Sequence, residues 1–164
     1  MNKCLAFIVV ALAVLLPVSA ESLTLQQENL IGLPNRFAVS VAQFDGDGEL
    51  TAGAVKKSVE DWLTASRLSV VEKRSAPPLS FINVAIARQD GPEGKVYLLD
   101  VNVYSHATIT TTYRLRKGTV WMMGSEKVVA GKDFPADVLG RLGTMVNFFI
   151  RDYRASNPPE ARQE

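Results

Sequence analysis

His106 is the only histidine in the chain, so any hydrolase of the serine–histidine–aspartate type would have to be built around it. The Gly-x-Ser-x-Gly turn that presents the nucleophile in one large class of such enzymes is missing from the sequence. Ser105 cannot serve either, because neighbouring residues of a strand point to opposite faces. With one histidine and a single cysteine, Cys4, zinc hydrolysis would depend on carboxylate ligands. We therefore expect a protein that is not an enzyme.

Three carboxylates alternate with glycines in the segment 45–49, as they do at the start of a calcium-binding loop. Two later positions depart from that pattern, because Leu50 replaces the glycine and Lys56 replaces the bidentate glutamate. A solvated turn explains the segment better than a metal site. The sequence thus predicts no metal and no cofactor.

A strand predicted from Lys95 to about Thr110 has one apolar and one polar face. Helices covering the apolar face would leave the polar side chains exposed, together with side chains from adjacent strands. Aromatic rings among adaptable polar groups are typical of protein interfaces, although an ordinary solvated sheet face has the same alternation. The apolar set is Tyr97, Leu99, Val101 and Val103; the candidate interaction face is Asp100, Asn102, Tyr104, His106, Thr108 and Asn83, flanked by Ser40, Ala42 and either Arg114 or Arg116.

The first twenty residues have the layout of a secretory signal peptide. Lys3 precedes an apolar run from Leu5 to Leu16, and small residues stand at the third-last and last positions before a cut after Ala20. The alternative is an uncleaved membrane anchor, for which the apolar run is short. Cys4 precedes the run, which argues against a lipoprotein. We expect export to the periplasm or the medium.

The net charge limits the classes of partner that the chain is expected to bind, and the cysteine content limits how its fold can be stabilised. The 18 basic and 17 acidic residues become 17 and 17 once Lys3 is removed with the leader, so the mature chain is formally neutral. Strong attraction to nucleic acid or to an anionic membrane is therefore not expected. Loss of Cys4 also leaves no disulfide, so the fold must be held by its core.

The order of elements predicts the fold. Strands are predicted over 37–44, 68–72, 79–88, 95–110 and 113–123. The last of these has a bulge or turn at Lys117–Gly118. A helix beginning after Thr51 lies between the first two strands. A second helix begins after Asp133 and stops at Asn157–Pro159. This β-α-β-β-β-β-α order indicates an α+β two-layer sandwich, with a mixed or mainly antiparallel sheet of about five or six strands and two helices on one face. We assign a signal peptide to 1–20, an extended segment to 21–35, one domain to 36–156 and a disordered tail to 157–164.

Several short motifs occur in a fixed order along the mature chain: Leu50–Thr51, Val59–Leu63, Leu79–Val84, Thr119–Trp121 with Gly124, Asn147–Tyr153 and Asn157–Pro158. In these motifs the chain resembles an uncharacterised family of small secreted bacterial proteins, a resemblance that implies no activity and no catalytic residues. More loosely, the element order is similar to the amino-terminal domain of periplasmic TolB-type proteins. In the family pattern an alanine–glycine pair follows the first helix, whereas Ser66–Arg67 stands here, so a left-handed residue at this cap would strain Arg67 where glycine would not be strained.

These observations favour a non-enzymatic protein-interaction module of the periplasm or cell envelope, which binds an envelope protein or a second copy of itself through the exposed sheet face. The alternative is a carrier or sensor of a small apolar ligand held between sheet and helices. A pocket enclosed by Trp62, Trp121 and the aromatic residues of the last helix would favour the carrier.

Overall fold

Three helices and five strands make up the part of the chain that the computed structural model describes, residues 23–46, 49–72, 79–92, 94–109, 114–129 and 134–158. The predicted leader, residues 1–20, lies outside this part. In chain order the elements are α1 (Leu25–Glu28), β1 (Arg36–Phe44), α2 (Ala52–Ala65), β2 (Ser69–Val70), β3 (Ser80–Gly91), β4 (Gly94–Ile109), β5 (Arg114–Val129) and α3 (Phe134–Ser156).

The strands form one mixed sheet in the order β2-β1-β3-β4-β5. β1 runs parallel to β2 and to β3, because α2 provides the crossover that a parallel connection requires. β3, β4 and β5 form an antiparallel meander, and Gly91 pairs with Gly94 where β3 turns into β4. The predicted α+β two-layer sandwich with a mixed sheet is confirmed.

α2 begins where the sequence predicts, since the Thr51 hydroxyl accepts a hydrogen bond from the Ala54 amide at 3.1 Å. Val55, Val59 and Leu63 recur every fourth residue and are all buried against the sheet. The other side of the helix is solvated and carries two ion pairs of i, i+4 spacing, Lys56–Glu60 and Lys57–Asp61.

The end of α2 is a Schellman motif with an arginine at its left-handed position. The Leu68 amide donates to the Leu63 carbonyl at 3.0 Å, and the Arg67 amide donates to the Thr64 carbonyl at 2.9 Å. Leu63 and Leu68 are both buried, as the apolar contact of this motif requires. Arg67 has φ 59°, so this cap position is left-handed and the condition for strain at Arg67 is met.

α3 supplies most of the helical side of the core. Its stripe of buried residues includes Phe149 and Tyr153, whose rings both meet Phe37 of β1 edge-on, at centroid distances of 5.5 and 5.3 Å. α3 also lies close to α2 at Gly143, where an added Cβ would stand 3.3 Å from the Trp62 ring. Gly143 therefore permits the close approach of the two helices.

β5 differs from the prediction in length and in register. It is one continuous strand in which Gly118 and Lys117 pair regularly with Ser105 and His106. The register shifts lie elsewhere. Val103 pairs with Trp121 while Tyr104 pairs with Thr119, which leaves a bulge at Val120, and a second shift lies between Leu99 and Val101. The prediction that Arg114 or Arg116 lies on the same side of the sheet as His106 is therefore wrong, because Lys117 is the basic residue of β5 that pairs with His106.

Both ends of the described chain correct the predicted domain limits. The described part of the segment 21–35, residues 23–35, is not an extended chain: Thr24 and Gln27 form a capping box at the start of α1, and Leu30 is buried in the core. Asn157, which we assigned to the disordered tail, is also buried. The folded unit thus includes α1 and Asn157, and the rest of the predicted tail after Pro158 lies outside the described residues.

Candidate interaction face

The two faces of β4 have the environments that its alternation predicts. Tyr97, Leu99, Val101 and Val103 are fully buried beneath the helices. The residues between them point to the opposite face, which we call the open face. The helices of the described chain pack on the other face or at the β5 edge, so the open face has no helical cover.

Strand pairing arranges the open face in rows that cross the sheet. The aromatic row contains Phe81 and Tyr104, which pair directly, and the adjacent amide row contains Asn83 and Asn102, which also pair. The Ser40 hydroxyl donates a hydrogen bond to Oδ1 of Asn83. In full, the aromatic row is Ala38, Phe81, Tyr104 and Thr119, and the amide row is Ser40, Asn83, Asn102 and Met122.

One ionisable side chain of β4 lies beyond each row. His106 lies outside the aromatic row, where its imidazole meets the Phe81 ring edge-on at a centroid distance of 5.7 Å. Asp100 lies outside the amide row and extends over β5, because a Cβ added at Gly124 would run into its carboxylate. Gly124 is therefore required for Asp100 to lie across the strand. The centre of the open face is uncharged, and its two ends are not.

The structure brings together five of the six residues that the sequence predicts for this face: Asp100, Asn102, Tyr104, His106 and Asn83. Asn83, Asp100, Asn102 and Tyr104 are half-buried and His106 is exposed. For Thr108 only the backbone is described, and it pairs with Leu115.

Ser105 lies on the opposite side of β4 from His106. It is buried, and its hydroxyl accepts a hydrogen bond from the Ser80 hydroxyl at 3.4 Å. The two neighbours therefore cannot act as a nucleophile and its base, as strand alternation predicts.

A second surface feature, which sequence reasoning missed, lies at the β5 edge of the sandwich. This rim groove has a volume of about 630 Å³ and lies between α1, β5 and α3. Leu25, Met122 and Phe148 expose apolar surface in it. Trp121 contributes to the groove, whereas Trp62 packs on Gly143 between α2 and α3, so the two tryptophans do not enclose a common pocket.

Asp152 forms the polar floor of the rim groove. Its carboxylate accepts hydrogen bonds from the Trp121 indole at 3.0 Å, from the Gln27 amide at 3.1 Å and from the Arg151 guanidinium at 3.2 Å. The Arg151 guanidinium also lies 4.8 Å from the centroid of the Phe148 ring. These contacts fix the end of α3 against β5 and α1.

The residues that follow Asp152 continue this attachment to the amino-terminal segment. Tyr153 donates to the Leu33 carbonyl at 3.1 Å, and Asn157 donates to the Leu30 carbonyl at 2.8 Å while accepting from the Gly32 amide at 2.9 Å. Ser156 donates to the Gln27 carbonyl at 2.6 Å. We call these contacts between residues 24–33 and 152–157 the terminal clamp. In the sequence, the Asn157–Pro158 pair indicates only where the helix stops. No residue spacing in the sequence predicts that these side chains bind the amino-terminal segment.

The predicted turn at 45–49 lies partly outside the described residues, at Asp47 and Gly48. Asp45 accepts hydrogen bonds from the Arg88 amide at 3.3 Å and from the Gln43 side chain at 3.2 Å, so its carboxylate organises the end of β1. Within the described ranges, no three side chains of the types that bind metals lie close enough together to hold an ion. No described helix is both long and apolar enough to cross a membrane.

Comparison with known proteins adds no homologue to these observations. No protein-family model matches the chain, and the search of curated proteins found no match. The surfaces of the molecule are therefore the basis on which its function has to be inferred.

Proposed function

We propose that this protein is an exported, non-enzymatic interaction module that binds another protein through its open face. The observation that supports the proposal is the aromatic row. Phe81 and Tyr104 lie side by side on a sheet face that the helices leave uncovered. Large rings in such a position gain most from a partner that removes them from water.

The distribution of charge on the open face supports the same proposal. Protein interfaces are depleted of charged residues at their centre and enriched in aromatic residues and methionine. The two central rows have this composition, with Phe81, Tyr104 and Met122 among small and amide side chains. The ionisable groups Asp100 and His106 lie outside them, where a polar rim would be.

The test is chemical crosslinking of the protein in its native envelope, followed by mass spectrometry of what is captured. We expect Tyr104→Ala to weaken capture of the specific partner by about thirtyfold, which corresponds to about 2 kcal/mol at an interface tyrosine. Lys57→Ala, on the outer side of α2, is the matched control and should leave capture unchanged.

The melting temperature separates loss of binding from loss of folding. Tyr104 is only half-buried, so its truncation should leave the melting temperature close to that of the native protein. Equal capture by both variants would refute the assignment of the open face. A severely destabilised Tyr104→Ala protein would mean that this ring belongs to the core.

Export to the periplasm or the medium is part of the proposal, and the leader predicted at residues 1–20 supports it. We expect the mature protein to begin at Glu21, and amino-terminal sequencing of the exported form is the measurement that checks it. A membrane-bound form that keeps Met1 would show instead that the segment is an anchor.

A second candidate function is a carrier of a small apolar ligand, and the rim groove favours it. The groove volume of about 630 Å³ lies within the range of about 300–1,000 Å³ that ligand sites occupy. Dodecanol is a suitable probe, because its binding would alter the fluorescence of Trp121. Phe148→Ser should weaken that response, while Leu139→Ser, outside the groove, should not. A titration without any response would exclude this function for alkyl ligands.

A further inference from the structure

We infer that the open face is self-complementary and that its partner is a second copy of this chain. This inference rests on the proposed function and specifies the partner. It concerns one geometry: two open faces packed against each other, related by a two-fold axis that runs across the strands at the level of Val103. Such an axis reverses the strand direction and places β4 over β4 and β3 over β3, as in an isologous interface.

The sizes of the side chains fit this arrangement. Because the axis exchanges the two rows, Tyr104 faces Asn102 of the second copy, and Phe81 faces Asn83 of the second copy. On β5, Met122 faces Thr119 of the second copy. Each large side chain thus meets a smaller one, which is the condition for two sheets to interdigitate over a layer about 10 Å thick.

The charges fit it as well. Among the described side chains that β4 directs to the open face, Asp100 is the carboxylate and His106 the imidazole, and they lie three residues on either side of Val103. The same axis therefore places Asp100 opposite His106 of the second copy, twice. An axis parallel to the strands and passing over β4 would instead place each β4 side chain opposite its own copy, with Asp100 against Asp100 and Tyr104 against Tyr104. Like charges directly opposed are unfavourable, so the first arrangement is preferred.

The oligomeric state of the native protein is the first measurement, by sedimentation velocity across the micromolar range. We expect a dimer. His106→Glu places two carboxylates together at each end of the interface and should weaken the dimer by about tenfold or more. Lys57→Glu, a charge reversal on the outer side of α2, should leave it unchanged.

A double-mutant cycle with Asp100→Asn gives the sharper result, because asparagine keeps the shape of the side chain and the protein should stay folded. On the native background this substitution removes an attraction and should weaken the dimer. On the His106→Glu background it removes a repulsion and should strengthen the dimer. A general disturbance of the fold by Asp100→Asn would instead weaken the dimer on both backgrounds.

Three outcomes would overturn the inference: a native protein that stays monomeric, a dimer indifferent to His106→Glu, or an Asp100→Asn effect of the same sign on both backgrounds. A monomer that nonetheless captures a different envelope protein through Tyr104 would refute the second copy as partner and leave the proposed function standing. A protein that neither forms a dimer nor captures another protein through Tyr104 would refute both the inference and the proposed function.

Discussion

Arg67 holds a position that glycine would occupy with less strain, and its replacement tests the account of how α2 ends. With φ at 59°, its Cβ is crowded against its own carbonyl group, which costs an L-residue about 1 kcal/mol relative to glycine. The main-chain bonds of the motif do not involve the side chain. Replacing Arg67 by glycine therefore keeps the bonds to Thr64 and from Leu68 and removes the crowding.

The gain is reduced by the unfolded state, because glycine makes the unfolded chain more flexible by about 0.4–1 kcal/mol. We therefore expect Arg67→Gly to be neutral or stabilising by up to about 1 kcal/mol, a rise in melting temperature of about 3 °C at most. Arg67→Ala is the matched control, since it removes the exposed side chain but retains the Cβ.

Urea denaturation followed by tryptophan fluorescence measures both variants against the native protein. The expected order of stability is Arg67→Gly above Arg67→Ala. The reasoning would be refuted by an Arg67→Gly protein that is clearly less stable than Arg67→Ala, because crowding at the Cβ would then not be what the left-handed position costs.

The remaining predictions concern the other contacts described above. Asp152→Ala leaves the buried indole N–H of Trp121 without its acceptor and should lower the free energy of unfolding by about 2 kcal/mol, and Asp152→Asn should lower it less, as urea denaturation would record. Asn157→Ala should lower it by about 2 kcal/mol and speed proteolytic cleavage near Leu30; a rate equal to that of the native protein would contradict the role of the terminal clamp. Gly140→Ala, with no atom within 4 Å of the new methyl group, should stabilise α3 by up to about 1 kcal/mol, and more than Gly143→Ala, which crowds Trp62.

The fold could be predicted largely from periodicity. The two-residue repeat of β4 identified its buried and open sides, because strand alternation transmits sequence order directly to the two faces of a sheet. The four-residue spacing of apolar residues in α2 predicted its buried side just as directly, and the Thr51 cap predicted where the helix begins. The candidate face follows from the same argument, since it needs only the side to which each residue points.

Tertiary contacts explain what could not be predicted. The position of the Asp100 carboxylate over β5 depends on Gly124, which belongs to another strand. The bulge at Val120, which places Lys117 beside His106, depends on how two strands align and has no local signature. The rim groove and the terminal clamp join residues 125 positions apart, such as Gln27 with Asp152 and Gly32 with Asn157. Local patterns contain no information at that separation.

The terminal clamp also imposes an order on folding. A ribosome delivers the chain from its amino end, so residues 24–33 emerge before all five described strands, and their partners in α3 emerge after them. Contacts of such high sequence separation form slowly and only after the intervening chain is available. The hydrogen bonds that Asn157 makes to Leu30 and Gly32 therefore cannot form until synthesis has passed Asn157. The amino-terminal segment is thus attached to the domain only after all five described strands have been synthesised.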